Sequence, residues 1–427
     1  MNETTAARCP ASAATRPTPS DEPQLRPADV ADTAAPEAPV ADWVDPTALQ
    51  EDPYPTYRRL RAEAPIAWVP RLNRYLVTSY TACKAMEDDP ESPRAGTENI
   101  IRSLGGVPMI AKTGAEHAAE RAAVNPALRP KCMQDVWEPV FTRNAHLYLD
   151  VLSGIGPERA DLYRDYAVPL AARNLADLLG MRDVPAEQLA RWSKAFISEM
   201  ANGGKDPDVS RRAAEAGAEA DAVLDDLVPG LRRRPDDSVI SVLAAKGMGV
   251  PEIRHNVKLI VSGGVNEPQH ALTTLFWALD GSPEQRAEVL AEPRLWRTAF
   301  DEAIRMVAPI GMIPKTLEQD TVLDGVRLRA GRDVGLMISA ANRDPEWFPA
   351  PDTFDLHRPK MAHLAFGAGA HMCAGLWAAR WSVGQIAVPL LYERHPDVRI
   401  DPSRRSRWAG WFFRGMTECP ITWTETR

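Results

Sequence analysis

Basic residues are outnumbered in this 427-residue chain: 50 Lys and Arg stand against 58 Asp and Glu, a formal net charge of -8. That balance lacks the positive footprint of a nucleic-acid-binding protein. Long apolar runs are missing too, and none approaches the 18 or so residues that a membrane-spanning helix requires. The N-terminus has no charged-then-apolar signal-peptide pattern, so a soluble cytoplasmic protein is expected, with neither nucleic acid nor membrane as a partner. Cysteine is scarce, with only Cys9, Cys83, Cys132, Cys373 and Cys419. They form no CxxC pair and no zinc-ligand spacing, which excludes a disulfide scaffold and favours a reducing compartment with at most one cysteine doing chemistry.

What the chain does have is hydrophobic content, 44%, enough for a large core. Residues 1–43, "MNETTAARCPASAATRPTPSDEPQLRPADVADTAAPEAPVADW", are the exception. They are rich in Ala, Pro, Thr and Asp and hold almost no large apolar residue before Trp43. Such a segment cannot offset its ordering entropy by burial, so it is expected to be a disordered tail. Residues 44–427 carry no second linker, repeat or charge block, and one domain is expected there.

Most of that domain patterns as helix. "PEQRAEVLAEP", with Ser282 as its expected N-cap, and "RTAFDEAIRMV" have the 3.6-residue spacing of amphipathic helices. Strands are short and few: "IAWVP" and "RYLVTS" around "RLN", then "VLDGVRLRAG" and "DVGLMISA". The expected class is mainly α with a small β-rich region.

The stretch "VKLIVSGGVNEPQHALTTLFWALDG" is the most apolar helix candidate, yet it contains Gly263, Gly264 and Pro268. Each glycine costs a helix interior about 1 kcal/mol against alanine and a proline about 3. A break is therefore expected there, with Asn266 and Glu267 at the break. Pro268 also deprives the Gly264 carbonyl of its donor.

The most specific pattern is "HLAFGAGAHMCAG". Cys373 stands at the mouth of an expected helix, after a loop in which Gly367 and Gly369 permit tight backbone conformations, and Gly375 permits close packing on a flat ligand. A helix N-terminus aims free N–H groups and a positive dipole at that sulfur, which favours a thiolate. A lone free cysteine is more often a small buried hydrophobe, and a cysteine-protease or thiol-redox role would want a His base or a second cysteine, for which no family signature appears; the spacing by itself leaves these roles open.

The loop resembles the haem-binding loop of the cytochrome P450 family, Phe-Gly-x-Gly-x-His-x-Cys-x-Gly, with Phe366, Gly367, Gly369, His371, Cys373 and Gly375 at its fixed positions. The resemblance implies the P450 fold. In that fold haem b lies between a long distal helix and the helix that follows the cysteine, with Cys373 as thiolate ligand to the iron. Glu302 and Arg305 in "DEAIR" resemble the family's Glu-x-x-Arg pair, and Arg358 in "FDLHRP" the third member of its buried cluster. "ESPR" at 91–94 shows that the pair also arises by chance; the ordered set gives it weight. By the same resemblance His117 and Arg121, one turn apart, His371, and Lys315 where arginine is common, serve the haem propionates.

Gly263 and Gly264 occupy the family's distal glycine position, where the helix opens for oxygen. Most members then carry an acid and a threonine; this chain has Asn266, Glu267 and Pro268. Glu267 is either a displaced proton donor or a cap for polar groups in the break. The "NEP" sequence, the cysteine loop and "GWFFRG" are together similar to bacterial O-demethylases acting on guaiacol and alkylguaiacols, which implies conversion of a methoxyphenol to a catechol and formaldehyde. Phe413 and Phe196 are the implied aromatic clamps, and Leu259, Gly263 and Ile310 the apolar wall.

Two other readings are a P450 hydroxylase that tailors a larger natural product, and a haem-thiolate sensor without turnover. The chain has no GxGxxG after a strand, no P-loop and no iron-sulfur spacing, so electrons come from outside. In the resembled group the donor is an NADH-dependent reductase carrying FAD and a [2Fe-2S] cluster; a ferredoxin system is the other option. Arg129, Lys131 and Arg380 are the candidate docking cations.

Overall fold

The short apolar runs "IAWV" and "RYLV", parted by the turn at "PRLN", fold as a hairpin, β1 (Ile66–Val69) and β2 (Arg74–Val77), with Ile66 opposite Val77. The remaining strands of the computed structural model are β3 (Ile313–Thr316), β4 (Thr321–Leu323), β5 (Val326–Leu328), β6 (Asp333–Leu336), β7 (Arg399–Ile400), β8 (Arg407–Ala409), β9 (Gly415–Glu418) and β10 (Ile421–Thr422). The structure describes residues 35–89 and 97–424. One four-stranded sheet has the order β1-β2-β6-β3, with β2 and β6 parallel and the outer pairs antiparallel. Its register places Lys315 opposite Val334. Among the described residues three two-stranded ribbons complete the β structure, and the other regular elements are helical.

Residues 37–41, expected in the tail, instead lie along β1. The Ala41 N–H donates to the Trp68 carbonyl and the Trp68 N–H to the Pro39 carbonyl, both at 2.8 Å. Ala38 and Ala41 are buried, and Glu37 ion-pairs with Arg329. The reason is that a strand edge offers unpaired backbone groups that any extended segment satisfies, whatever its side-chain hydrophobicity. The rest of the expected tail, 1–34, lies outside the described residues.

The expected break in the long helix is absent. Val250–Asp280 is one continuous α-helix of 31 residues with Pro268 inside it. Two glycines and a proline cost it about 5 kcal/mol. Against this, Ile253, Val257, Val261, Val265, Leu272, Leu275, Phe276 and Leu279 are all buried, at about 1.5–3 kcal/mol per side chain. The helix packs on the Val168–Leu179, Ala186–Met200 and Trp296–Met306 helices. Tertiary burial therefore outweighs local propensity. Ser282 does stand at the N-cap of Pro283–Ala291, but its side chain makes no capping bond.

Candidate functional site

The cysteine loop runs between the sheet and the last helices. Gly367 (φ 68°) and Gly369 (φ 58°) adopt left-handed backbone, which non-glycine residues enter only at a cost. The loop folds back so that the Cys373 N–H donates to the Phe366 carbonyl at 2.8 Å. Gly375 caps the Leu376–Ala379 helix. Its N–H and that of Leu376 are directed at the Cys373 sulfur, and with Arg121 they favour the thiolate. Burial works the other way and is stronger, holding the free thiol above its usual range, and the charge of Glu267 adds to it. Cys373 is nonetheless exposed: the sulfur is reached along a cleft while protein surrounds its other sides. A metal cation would replace the proton outright.

The expected propionate residues converge. The rings of His117 and His371 lie 4.0 Å apart, and Arg121 Nη2 donates to the Met372 carbonyl at 2.8 Å. Burial, His117, Lys315 and Arg121 together push His371 down to about 4, so the imidazole is neutral at pH 7. Lys315, on β3, is buried and ion-paired at 2.9 Å with Glu87 of the Tyr80–Asp88 helix. That acid gave no sign in the sequence, where "AMEDDP" looks like any amphipathic helix end.

Glu302, Arg305 and Arg358 form one buried cluster. Arg305 holds both Glu302 oxygens at 2.8 Å, and Arg358 Nε donates to Glu302 Oε1 at 2.9 Å. The spare N–H groups of Arg305 bind the carbonyls of Asn342, Pro351 and Thr353. The cluster fastens the segment leading to the cysteine loop onto the Trp296–Met306 helix.

Across the cleft, the two distal glycines have different roles. A Cβ on Gly264 would come within 2.7 Å of Leu175 Cδ1, so this glycine lets the long helix pack on the Val168–Leu179 helix. The expectation that Gly264 helps to open an oxygen groove is corrected accordingly. Gly263 faces the cleft: a Cβ there would meet Glu267 Oε2 at 3.1 Å. The missing side chain is the seat of the Glu267 carboxyl, one turn on. Burial raises Glu267 from the ordinary 4.5 to about 8, outweighing its own backbone N–H and the Asn266 side chain. Neither Glu267 Oε2 nor Asn266 Nδ2 makes a well-formed hydrogen bond. One contact escaped sequence reasoning: buried Ser193 donates to the Ser262 carbonyl at 2.8 Å, fixing the helix beside the glycine pair.

Ile310 and Phe413, far apart in sequence, form an antiparallel bridge. The Gly311 N–H bonds the Phe412 carbonyl at 2.8 Å and the Arg414 N–H the Pro309 carbonyl at 2.9 Å. Leu259, Gly263, Ile310 and Phe413 are half-buried. Phe196 is not with them: it is fully buried in the helical core. A side chain without accessible surface is packing, which corrects its expected role as a clamp. Arg380 is also corrected, because its guanidinium is held by Asp301 at 2.8 and 3.0 Å and covers the Phe366 ring. Lys131 is exposed beside Asp135, and Arg129 is exposed.

The donor set suits one cofactor. Among the described residues no three His, Cys, Asp or Glu side chains cluster to hold a metal ion, so an iron on Cys373 must bring most of its ligands with it, as haem does. A profile of the cytochrome P450 family matches residues 284–393. The methyl-branched lipid omega-hydroxylase of Mycobacterium tuberculosis (strain CDC 1551 / Oshkosh) is 30% identical over 331 residues, 74% of this chain and 74% of that protein. The chain belongs to the cytochrome P450 family. This P450 is 29% identical over 369 residues to the mycinamicin IV hydroxylase/epoxidase of Micromonospora griseorubida, covering 82% of the chain and 89% of the relative. Its fold matches P450BioI in complex with an acyl carrier protein, with a TM-score of 0.79, 27% identity, and coverage of 87% of this chain and 99% of that one. It is thus a haem b monooxygenase that uses O2 and electrons from a redox partner. No helix among its described residues is long and apolar enough to cross a membrane.

Proposed function

We propose that this P450 removes the methyl group of a small methoxyphenol of the guaiacol or alkylguaiacol type. The observation that carries the reading is the Ile310–Phe413 bridge, which sets an aliphatic and an aromatic side chain side by side. With Leu259 and Gly263 they offer an apolar wall suited to one flat ring. When bound, haem supplies activation of O2 and insertion of one oxygen atom into a C–H bond. Cys373 would hold its iron, and His117, Arg121, His371 and Lys315 would receive its propionates. Ile310 and Phe413 orient the ring and exclude water. Glu267 holds a proton on its carboxyl at neutral pH, at the site where a threonine is usual. The hydroxylated methyl ether is a hemiacetal, which falls apart to a catechol and formaldehyde.

The electron donor in this reading is a single NADH-dependent reductase with FAD and a [2Fe-2S] cluster, or a ferredoxin system in its place, docking by Arg129 and Lys131. Hydroxylation of a larger natural product is the alternative, and the mycinamicin relative favours it. Titration of the ferric protein with guaiacol, 4-alkylguaiacols and bulky natural products separates the two. A saturating low-spin to high-spin change with a small methoxyphenol supports demethylation. A change with the bulky compound alone rejects it.

A further inference from the structure

We infer that Glu87 belongs to the haem pocket as a positioning residue that shares Lys315 with a haem propionate and cancels its charge. Three observations converge on this acid. Glu87 and Lys315 are both buried, 6% and 4% exposed, and their ion pair spans 2.9 Å. The contact is charge against charge, not an aligned hydrogen bond, for Glu87 Oε1 makes no well-formed one. Lys315 donates no hydrogen bond to any described residue. A buried ammonium with three donors and one off-axis counter-charge has room for a second acceptor.

The second acceptor is anionic by position. Lys315 is tied through Glu87 to the loop that carries His371, and His371 touches His117. Glu87 itself lies directly beneath the cysteine loop. A Cβ on Gly367 would meet Glu87 Oε2 at 3.2 Å, and one on Gly369 would meet the Glu87 carbonyl at 2.3 Å. The carboxylate is therefore part of the floor under the loop, and the lysine is anchored to that floor.

The charge count follows. Lys315 and Glu87 sum to zero, and Arg121, which makes no ion pair with a described residue, is the remaining cation of the group. Negative charge near haem favours the ferric state, and positive charge the ferrous state. Glu87 thus holds the reduction potential below the value that two uncompensated cations would set. The pair is a tuning device at the propionate edge, remote from the axial sulfur.

The test compares ferric–ferrous midpoint potentials of the haem-loaded wild type, Glu87→Gln, Lys315→Met and the double variant. The inference rests on the haem site described above, which the carbon-monoxide spectrum of the wild type checks beforehand, so the two can fail separately. Expected is a positive shift for Glu87→Gln, a negative shift for Lys315→Met and a value near wild type for the double variant. Where Glu87→Gln does not accumulate with haem, the Lys315→Met shift and its cancellation in the double variant carry the same information. Shifts of one sign in both single variants, or faster haem release without any change of potential, would make Glu87 a structural prop and overturn the assignment.

Discussion

Replacing Glu267 with glutamine keeps the shape of the side chain and removes its titration. In the wild type the carboxyl is raised from 4.5 to about 8, which at 1.36 kcal/mol per pH unit is roughly 5 kcal/mol of disfavoured ionisation. About nine in ten molecules are then protonated at pH 7. The sign follows from linkage: between pH 4.5 and 8 the unfolded chain has lost this proton while the folded chain keeps it. Wild-type stability therefore declines with rising pH across that window relative to Glu267→Gln, and levels off above it. The direct assay is infrared difference spectroscopy, wild type minus Glu267→Gln, following the C=O stretch of a protonated carboxylic acid. The band should persist through pH 7 and vanish with a midpoint near 8. Its disappearance by pH 6 would refute the burial argument. If the same proton serves turnover, formaldehyde formed per NADH consumed falls as pH passes 8 in the wild type. It is low at every pH in Glu267→Gln, with hydrogen peroxide as the lost product; unchanged coupling in the variant rejects the role in proton delivery.

The two distal glycines should respond differently to alanine. Gly264→Ala drives a methyl into Leu175 and should lower stability by about 1–3 kcal/mol, with recovery in the Gly264→Ala, Leu175→Ala double variant; thermal unfolding of the haem-bound protein reads both. Gly263→Ala meets only the flexible end of Glu267, so it should leave the melting temperature near wild type while changing the infrared band. Glu302→Gln leaves Arg305 and Arg358 buried without their counter-charge, a loss of about 3–5 kcal/mol that should appear as a fall in haem-loaded protein per cell, measured by Soret absorbance. Cys373→Ser should abolish the thiolate spectrum of the reduced carbon-monoxide complex without changing the helical content seen by circular dichroism.

Patterns that are local in sequence were readable, and those created by chain reversal were not. Short apolar runs bounded by turn residues mark β1, β2 and β6, and the fixed spacing around Cys373 marks the loop, because each depends on neighbours within ten residues or so. β3 escaped notice: "IPKT" has no alternation of its own, and its place in the sheet comes from pairing with β6. The long helix was misjudged because propensity is local while its burial against three other helices is not. Glu87 could not be told from a solvated acid, since its partner lies on a strand more than 200 residues away. Phe196 illustrates the opposite error. Its short flanking match suggested a ligand contact, and the structure packs it in the core.

The segment at residues 37–41 bears on how this protein behaves in solution. By occupying the outer side of β1, it hides a row of backbone donors and acceptors that would otherwise serve as a template for another chain. Colloidal behaviour therefore depends on a stretch whose composition advertises nothing of the kind. A chain trimmed at residue 44 would keep every haem and substrate residue discussed above, yet carry an adhesive rim.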